Sequence, residues 1–312
     1  MNVPKRIIVT GAAGFIGSAV VRALVKGGVE VHSIVRQASD LSRLNEVIER
    51  IHLHNCDITD FQGLRKIIET VQPNGIFHLA VSTIMSGKKA APDELIATNF
   101  AGTVHLIDAA ANVDYDFFIT MGSFLDYGFK DGPLKESDRC EPPELYSLTK
   151  LASVLYGQSV ARAYKKPIIG FRLFTPYGPY VQKGRFVYQV ITQALRGEPI
   201  PLTAPKTTRD FIFVDDIVSL LLEASSKAQA YQGEIFNLAS GIATTLKEVV
   251  EYVVKATNSK SELQWNALPN VSYDRDNWQA DMTKTFAQFS WRPAHTLRQG
   301  LDKTIAWFRN SN

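Results

Sequence analysis

Val9-Thr10-Gly11-Ala12-Ala13-Gly14-Phe15-Ile16-Gly17 constrains this chain more than any other stretch. Arg6-Ile7-Ile8-Val9 leads into it with the β-branched apolar character of a buried strand. Ser18 to Val25 follows as a helix, stopped by Gly27-Gly28. A strand that turns on glycines straight into a helix opens a parallel α/β sheet. Glycines at 11 and 14 permit a tight turn and a close backbone approach to an anion, which then meets the positive end of the helix. A glycine at 17 lets the helix pack closely on the sheet. Gly11, Ala13, Gly14, Phe15, Ile16 and Gly17 are therefore candidate pyrophosphate-binding residues of a dinucleotide site.

Composition sets the outer limits. A chain of 312 residues, 45% hydrophobic and 21% charged, suffices for one large α/β domain and a smaller lobe. The net charge of +3 is spread along the chain, which argues against a nucleic-acid surface and suits a pocket for an anionic ligand. Cys56 and Cys140 give no disulfide framework, and a cytoplasmic location is expected. No apolar run reaches the roughly 18 residues of a membrane span. The apolar amino-terminal segment is read as a nucleotide loop rather than a signal peptide, because its glycines fall where that loop needs them.

The spacing G-x-x-G-x-x-G with Thr10 in front resembles the short-chain dehydrogenase/reductase superfamily. The wording T-G-A-A-G-F-I-G is similar to its extended branch of nucleotide-sugar epimerases, dehydratases and reductases. The resemblance implies a Rossmann-type doubly wound parallel sheet with a smaller C-terminal α/β substrate lobe. The expected division is 1–170 for the dinucleotide and 171–312 for a nucleotide sugar, with 205–240 returning to the first domain.

The second strand, Glu30 to Arg36, bears on which nicotinamide cofactor fits. An NAD enzyme usually ends it with an acid that accepts both ribose hydroxyls. Here Val35 stands in that place and Arg36 follows, and a guanidinium can hold the extra phosphate of NADP in a charge-assisted fork. NADP(H) is expected over NAD(H). The V-R-Q-A-S sequence also resembles the V-R-D-P strand end of NADPH-using reductases.

Ile51-His52-Leu53-His54-Asn55-Cys56 alternates like a strand, with His52, His54 and Cys56 on one face. A metal site is set aside: no fourth ligand stands nearby, and the strand is expected to lie in a sheet covered by helices. The following Asp57-Ile58 matches the family pair that contacts adenine; equally, it is a polar strand end capping the helix from Asp60. Leu79-Ala80 closes an H-x-A segment that lines the cofactor in the family. Asn99 belongs to a segment similar to the family's N-x-x-G-T, mid-helix, where an asparagine needs a task for its amide. By resemblance it supports the cofactor site and nearby backbone. That helix and the one over 145–164 correspond to those of a homodimer interface in many relatives.

Gly122-Ser123-Phe124-Leu125-Asp126-Tyr127-Gly128, after the fifth strand, resembles the family's S-S-x-x-V-Y-G, which implies Ser123 as a catalytic hydroxyl beside the Tyr146-x-x-x-Lys150 pair. Positions i and i+4 share a helix face, so phenol and ammonium point at one place. Hydride transfer to a carbonyl carbon builds negative charge on its oxygen. Ser123 and Tyr146 can hydrogen-bond that oxygen, and Tyr146 can donate the proton. An unperturbed tyrosine, with a pKa of about 10, is already protonated at neutral pH. Lys150 then stabilises the tyrosinate. Family dehydratases place an acid and a base immediately after the serine or threonine. Phe124 and Leu125 hold those positions here, so dehydration is not expected, and Asp126 one step later is expected to point away.

Arg172-Leu173-Phe174-Thr175-Pro176-Tyr177-Gly178-Pro179 resembles R-Y-F-N-V-Y-G-P, with Thr175 replacing the usual asparagine at a substrate contact. Thr208-Arg209-Asp210-Phe211 resembles the R-D-F segment whose arginine holds a nucleotide diphosphate, and Arg275 is a second candidate for that role. G-S-F-L-D-Y-G and R-L-F-T-P-Y-G-P look most like 4-ketoreductases of the CDP-abequose and CDP-paratose synthase type. The expected activity is NADPH-dependent reduction of a nucleotide-activated 4-keto-6-deoxy sugar. The alternatives are a 4-epimerase with retained NAD and a non-catalytic NADP sensor.

Overall fold

The computed structural model describes residues 5–83, 91–269 and 278–310. Six strands come first: β1 (Arg6–Thr10), β2 (Glu30–Val35), β3 (His52–Asn55), β4 (Gly75–His78), β5 (Phe117–Ser123) and β6 (Ile168–Leu173). They are followed by β7 (Thr175–Tyr177), β8 (Ile200–Pro201), β9 (Thr208–Phe213), β10 (Ile235–Leu238), β11 (Ala243–Thr245) and β12 (Leu263–Gln264). Between the early strands lie α1 (Phe15–Lys26), α2 (Phe61–Val71), α3 (Pro92–Leu95), a π-helical turn over Ile96–Ala101, α4 (Gly102–Ala109) and α5 (Leu145–Tyr164). Later come α6 (Phe186–Arg196), α7 (Val214–Ser225), α8 (Leu246–Thr257), α9 (Thr283–Gln288) and α10 (Leu297–Asn310).

A seven-stranded sheet has the order β10-β6-β5-β4-β1-β2-β3. β1 pairs in parallel with both β2 and β4, β2 with β3, and β4 with β5. The chain therefore reverses its progress across the sheet between β1 and β4. In a doubly wound sheet such a reversal opens a ligand crevice at the carboxyl ends of the strands. Those ends are Thr10-Gly11 and His78-Leu79. Every residue of β5 is buried, as a parallel strand covered on both faces requires. The doubly wound sheet expected from the glycine stretch is present.

The chain divides into two compact units. One comprises Met1–Asp126, Glu144–Arg172 and Val218–Phe236; the other comprises Tyr127–Pro143, Leu173–Ile217 and Asn237–Asn312. In the first, α1 buries Phe15, Ala19, Val20, Val21, Leu24 and Val25, an apolar stripe at helical spacing. Its buried Ser18 hydroxyl donates to the Phe15 carbonyl at 3.1 Å. The start of α2 is fixed by Asp60 itself, whose carboxylate accepts the Gly63 N–H at 3.0 Å. Asp57 instead accepts from the Thr59 N–H and hydroxyl, so the helix cap expected of Asp57-Ile58 falls to its neighbour. The second unit holds a three-stranded sheet in the order β11-β9-β7 and a β12-β8 pair.

One packing expectation fails. β3 lies at the edge of the large sheet, and His52 is 60% exposed in its side chain, so no helix among the described residues covers this histidine. Cys56 falls just beyond the strand, buried, and is not among the histidines' hydrogen-bonding partners; its thiol donates to the Asp57 carbonyl at 3.3 Å.

Candidate functional site

Gly11 adopts a φ of +66°, and a Cβ there would stand 2.6 Å from backbone atoms of Leu79 and Ala80. The turn thus needs glycine both for its hand and for the approach of the β4 end. A Cβ on Gly17 would stand 2.1 Å from the Gly11 carbonyl oxygen. Gly17 therefore makes room for the turn's own backbone, not for the sheet as expected. Gly14 is the N-cap of α1, with no side-chain cap and no acid in the first turn. The helix's first N–H groups and its positive end therefore face the loop without a competing side chain. Ala13, Gly14 and Ile16 are partly exposed beside it, whereas the Phe15 side chain is buried. These residues fit a dinucleotide pyrophosphate.

A chain of hydrogen bonds runs from this loop into the helices. Thr10 Oγ1 accepts the N–H groups of Leu79 and Ala80, each at 3.2 Å, so its own proton goes to His78 Nδ1 at 2.7 Å. His78 Nε2–H then donates to Thr103 Oγ1 at 2.9 Å, and Thr103 donates to the Asn99 carbonyl at 2.6 Å. The partners fix the tautomer. Burial, with the Lys150 charge nearby, pushes the His78 imidazole down to about 3, so it stays neutral.

Asn99 sits in the π-helical turn and its amide is fully used. Oδ1 accepts the Ser82 N–H at 2.8 Å; Nδ2 donates to the Ser82 carbonyl at 3.0 Å and to Thr149 Oγ1 at 3.2 Å. Thr149 in turn donates to the Tyr146 carbonyl at 2.8 Å, and Ser153 donates to the Asn99 carbonyl at 2.5 Å. Asn99 thereby fixes the first turns of α5.

Tyr146 is the second residue of α5, half-buried, and Lys150 lies one turn on, buried. The amino end of a helix favours negative charge at that tyrosine. Ser123 is the last residue of β5; its Oγ accepts the Leu125 N–H at 3.2 Å, which leaves its proton to donate. Asp126 is fully buried, accepts the Ser123 N–H at 3.1 Å and stands 4.0 Å from Arg172 Nε. A Cβ on Gly122 would stand 2.5 Å from its Oδ2, so only glycine at 122 lets the carboxyl tuck in. Burial pushes Asp126 up to about 7, against the Ser123 N–H, Arg172 and Lys150, which draw it down. Burial likewise pushes the Lys150 ammonium down to about 8, while Asp126 draws it up. Nothing in the local sequence marks this carboxyl's burial, because its neighbour Arg172 lies on a strand distant in the chain.

The remaining candidates take varied places. Arg36 follows β2 directly; its side chain is exposed and makes no hydrogen bond or ion pair among the described residues. Asp57 is exposed, and the Ile58 side chain lies in the core, where a Cβ on Gly102 would stand 2.7 Å from it. Leu79 and Ala80 present partly exposed side chains beyond β4. In the second unit, Thr175 opens β7 half-buried, and buried Arg209 on β9 donates to the Thr208 carbonyl at 2.9 Å. Its neighbour Asp210 accepts from Ser240, Gly241 and Ala280, and burial pushes it up to about 6. Arg275 lies outside the described residues.

No helix among the described residues is long and apolar enough to cross a membrane. A family model for the NAD dependent epimerase/dehydratase family matches residues 7–239. The dTDP-glucose 4,6-dehydratase of Salmonella typhimurium is 26% identical, over 97% of this chain and 92% of its own length. The UDP-glucuronate 4-epimerase of Thermodesulfobacterium geofontis is 27% identical, over 97% of this chain and 96% of its own. The crystal structure of UDP-glucose 4-epimerase with UDP-glucose from Thermotoga maritima is similar at a TM-score of 0.89 and 26% identity, covering 98% of this chain and 99% of that one. The chain belongs to the NAD dependent epimerase/dehydratase family, the extended short-chain dehydrogenase/reductase branch that its glycine spacing resembles.

Proposed function

We propose that this protein reduces the 4-keto group of a CDP-, dTDP- or GDP-linked 4-keto-6-deoxy sugar with NADPH. The observation that favours NADPH is the exposed Arg36 guanidinium directly after β2, unpaired among the described residues, with Val35 in place of an acid. The glycine turn, Arg36, Asp57, the Ile58 backbone, Leu79 and Ala80 hold the dinucleotide, whose reduced nicotinamide supplies the hydride. Ser123 and Tyr146 hydrogen-bond the carbonyl oxygen as it gains charge, and Tyr146 delivers the proton. Lys150 holds the cofactor ribose and the tyrosinate, while Asn99 keeps α5 in place. Thr175, Arg209 and Arg275 are assigned to the nucleotide sugar.

Dehydration, the activity named for the Salmonella typhimurium relative, is not proposed, since Phe124 and Leu125 cannot move a proton. A second reading is 4-epimerisation with retained NAD, favoured by the two similar epimerases. The same Ser123, Tyr146 and Lys150 would serve it. Purified protein given NADPH or NADH and a panel of nucleotide-linked 4-keto-6-deoxy sugars separates the readings. Stoichiometric NADPH oxidation is the expected result. Interconversion of UDP-hexoses without added cofactor would replace reduction by epimerisation. Arg36→Ala is expected to lower kcat/KM for NADPH and leave that for NADH; an unchanged ratio would sink the cofactor assignment.

A further inference from the structure

The histidines that alternate along β3 take no part in the hydride-transfer site, which lies at the opposite, carboxyl ends of the strands. They meet partners that the local sequence does not show. The parallel register sets His52 directly beside His32 of β2, and period-two geometry puts Glu30 and His32 on the same face as His52 and His54. Glu30 Oε1 lies 3.0 Å from His32 Nε2 and 3.8 Å from His52 Nε2. One ligand atom from each of these residues lies within 4.8 Å of the others. Tetrahedral zinc ligands at about 2.05 Å from the metal stand roughly 3.4 Å apart, between the two separations to Glu30. The His32 and His52 rings stack with centroids 4.6 Å apart and planes 20° from parallel, so one ring must turn about its Cβ–Cγ bond to bring both Nε2 lone pairs onto one ion.

Behind this group, His54 Nε2 lies 2.9 Å from His32 Nδ1. An ionised Glu30 accepts only, so without metal His32 carries its proton on Nε2 and its Nδ1 accepts from His54. If both rings change tautomer, Nε2 of His32 is freed as a ligand, its Nδ1–H donates to His54, and no net proton is released. A hydrogen bond from the far nitrogen is what orients a ligating imidazole.

We propose that Glu30, His32 and His52 form a binding site for a divalent transition metal of the Zn²⁺ class, with His54 as the positioning residue behind His32 and water in the fourth place. The metal ties the edge strand β3 to β2. This inference stands independently of the proposed reductase activity.

Isothermal titration of untagged, chelator-stripped protein with ZnCl₂ tests it. One saturable equivalent is expected, and Co²⁺ in its place should give the visible bands of tetrahedral coordination, lost on adding Zn²⁺. Side chains of Glu30 and His52 are 31% and 60% exposed, so Glu30→Gln and His52→Gln should fold, as circular dichroism will check. Each should weaken Zn²⁺ binding at least about tenfold. Absence of saturable binding overturns the proposal, as does unchanged affinity in both folded variants, which would place the metal elsewhere.

Discussion

Burial lowers the Lys150 ammonium to about 8 while the Asp126 carboxylate draws it up. The charge that would hold a Tyr146 tyrosinate is therefore lost as pH rises through that value. Replacing Asp126 with Asn removes the raising influence and leaves burial, so the ammonium loses its proton at lower pH. kcat/KM for the ketosugar, measured from about pH 6 to 10, should fall on an alkaline limb near 8 in the parent, moving downward in Asp126→Asn. A limb that stays in place would remove Asp126 from the site's electrostatics. Tyr146→Phe deletes the proton donor and should lower kcat by about 10²–10⁴ while NADPH still quenches protein fluorescence; full activity would remove Tyr146 from the mechanism. The i, i+4 spacing singled out Tyr146 and Lys150, and the resemblance to the family's S-S-x-x-V-Y-G segment added Ser123. Asp126 escaped it because its place depends on Gly122 and on the meeting of β5 with Arg172, two facts that appear only when the sheet is assembled.

Among the elements, the bonds linking β1, β4 and the Ile96–Ala101 turn give the crevice its rigidity. Thr103→Val would leave the buried His78 Nε2–H without its acceptor, a loss of roughly 1–3 kcal/mol for an unsatisfied buried donor. Thermal unfolding should show a lower midpoint; an unchanged midpoint would mean that another acceptor takes over. Nitrogen NMR of the parent should find His78 as the Nε2–H tautomer with no titration between about pH 5 and 8, because burial pushes it down to about 3. A titration within that range would contradict the relay. Helix α5 runs over the residues expected from sequence, since its apolar and small residues leave no competing period. The π-helical turn was not legible, because it arises where the Asn99 amide bonds to Ser82 and Thr149, contacts remote in sequence. β3 was read as a strand but misplaced as a covered one, since alternation marks a strand without saying whether it ends a sheet.

For the whole molecule, the apolar surface of α5 and the preceding helical turn sets the last expectation. Leu148 and Leu155 are 50% and 45% exposed on α5, two turns apart on one face, and Ile96 is 45% exposed. Single exposed leucines are ordinary, but two at this spacing on one helix form a stripe that a second copy can cover. A stable pairing would bury roughly 1,200–2,000 Å² in total, an area that α5 and the Pro92–Ala109 segment of each copy could share. A homodimer is therefore expected from light scattering after size exclusion, and charges placed in the stripe should open it. The double variant Leu148→Glu/Leu155→Glu should elute as a folded monomer, because four carboxylates would face one another across the dyad without partners. It should keep a far-ultraviolet spectrum like the parent's, since both side chains already reach solvent. A parent that is monomeric at every concentration, or a variant that remains dimeric, would remove α5 from the interface.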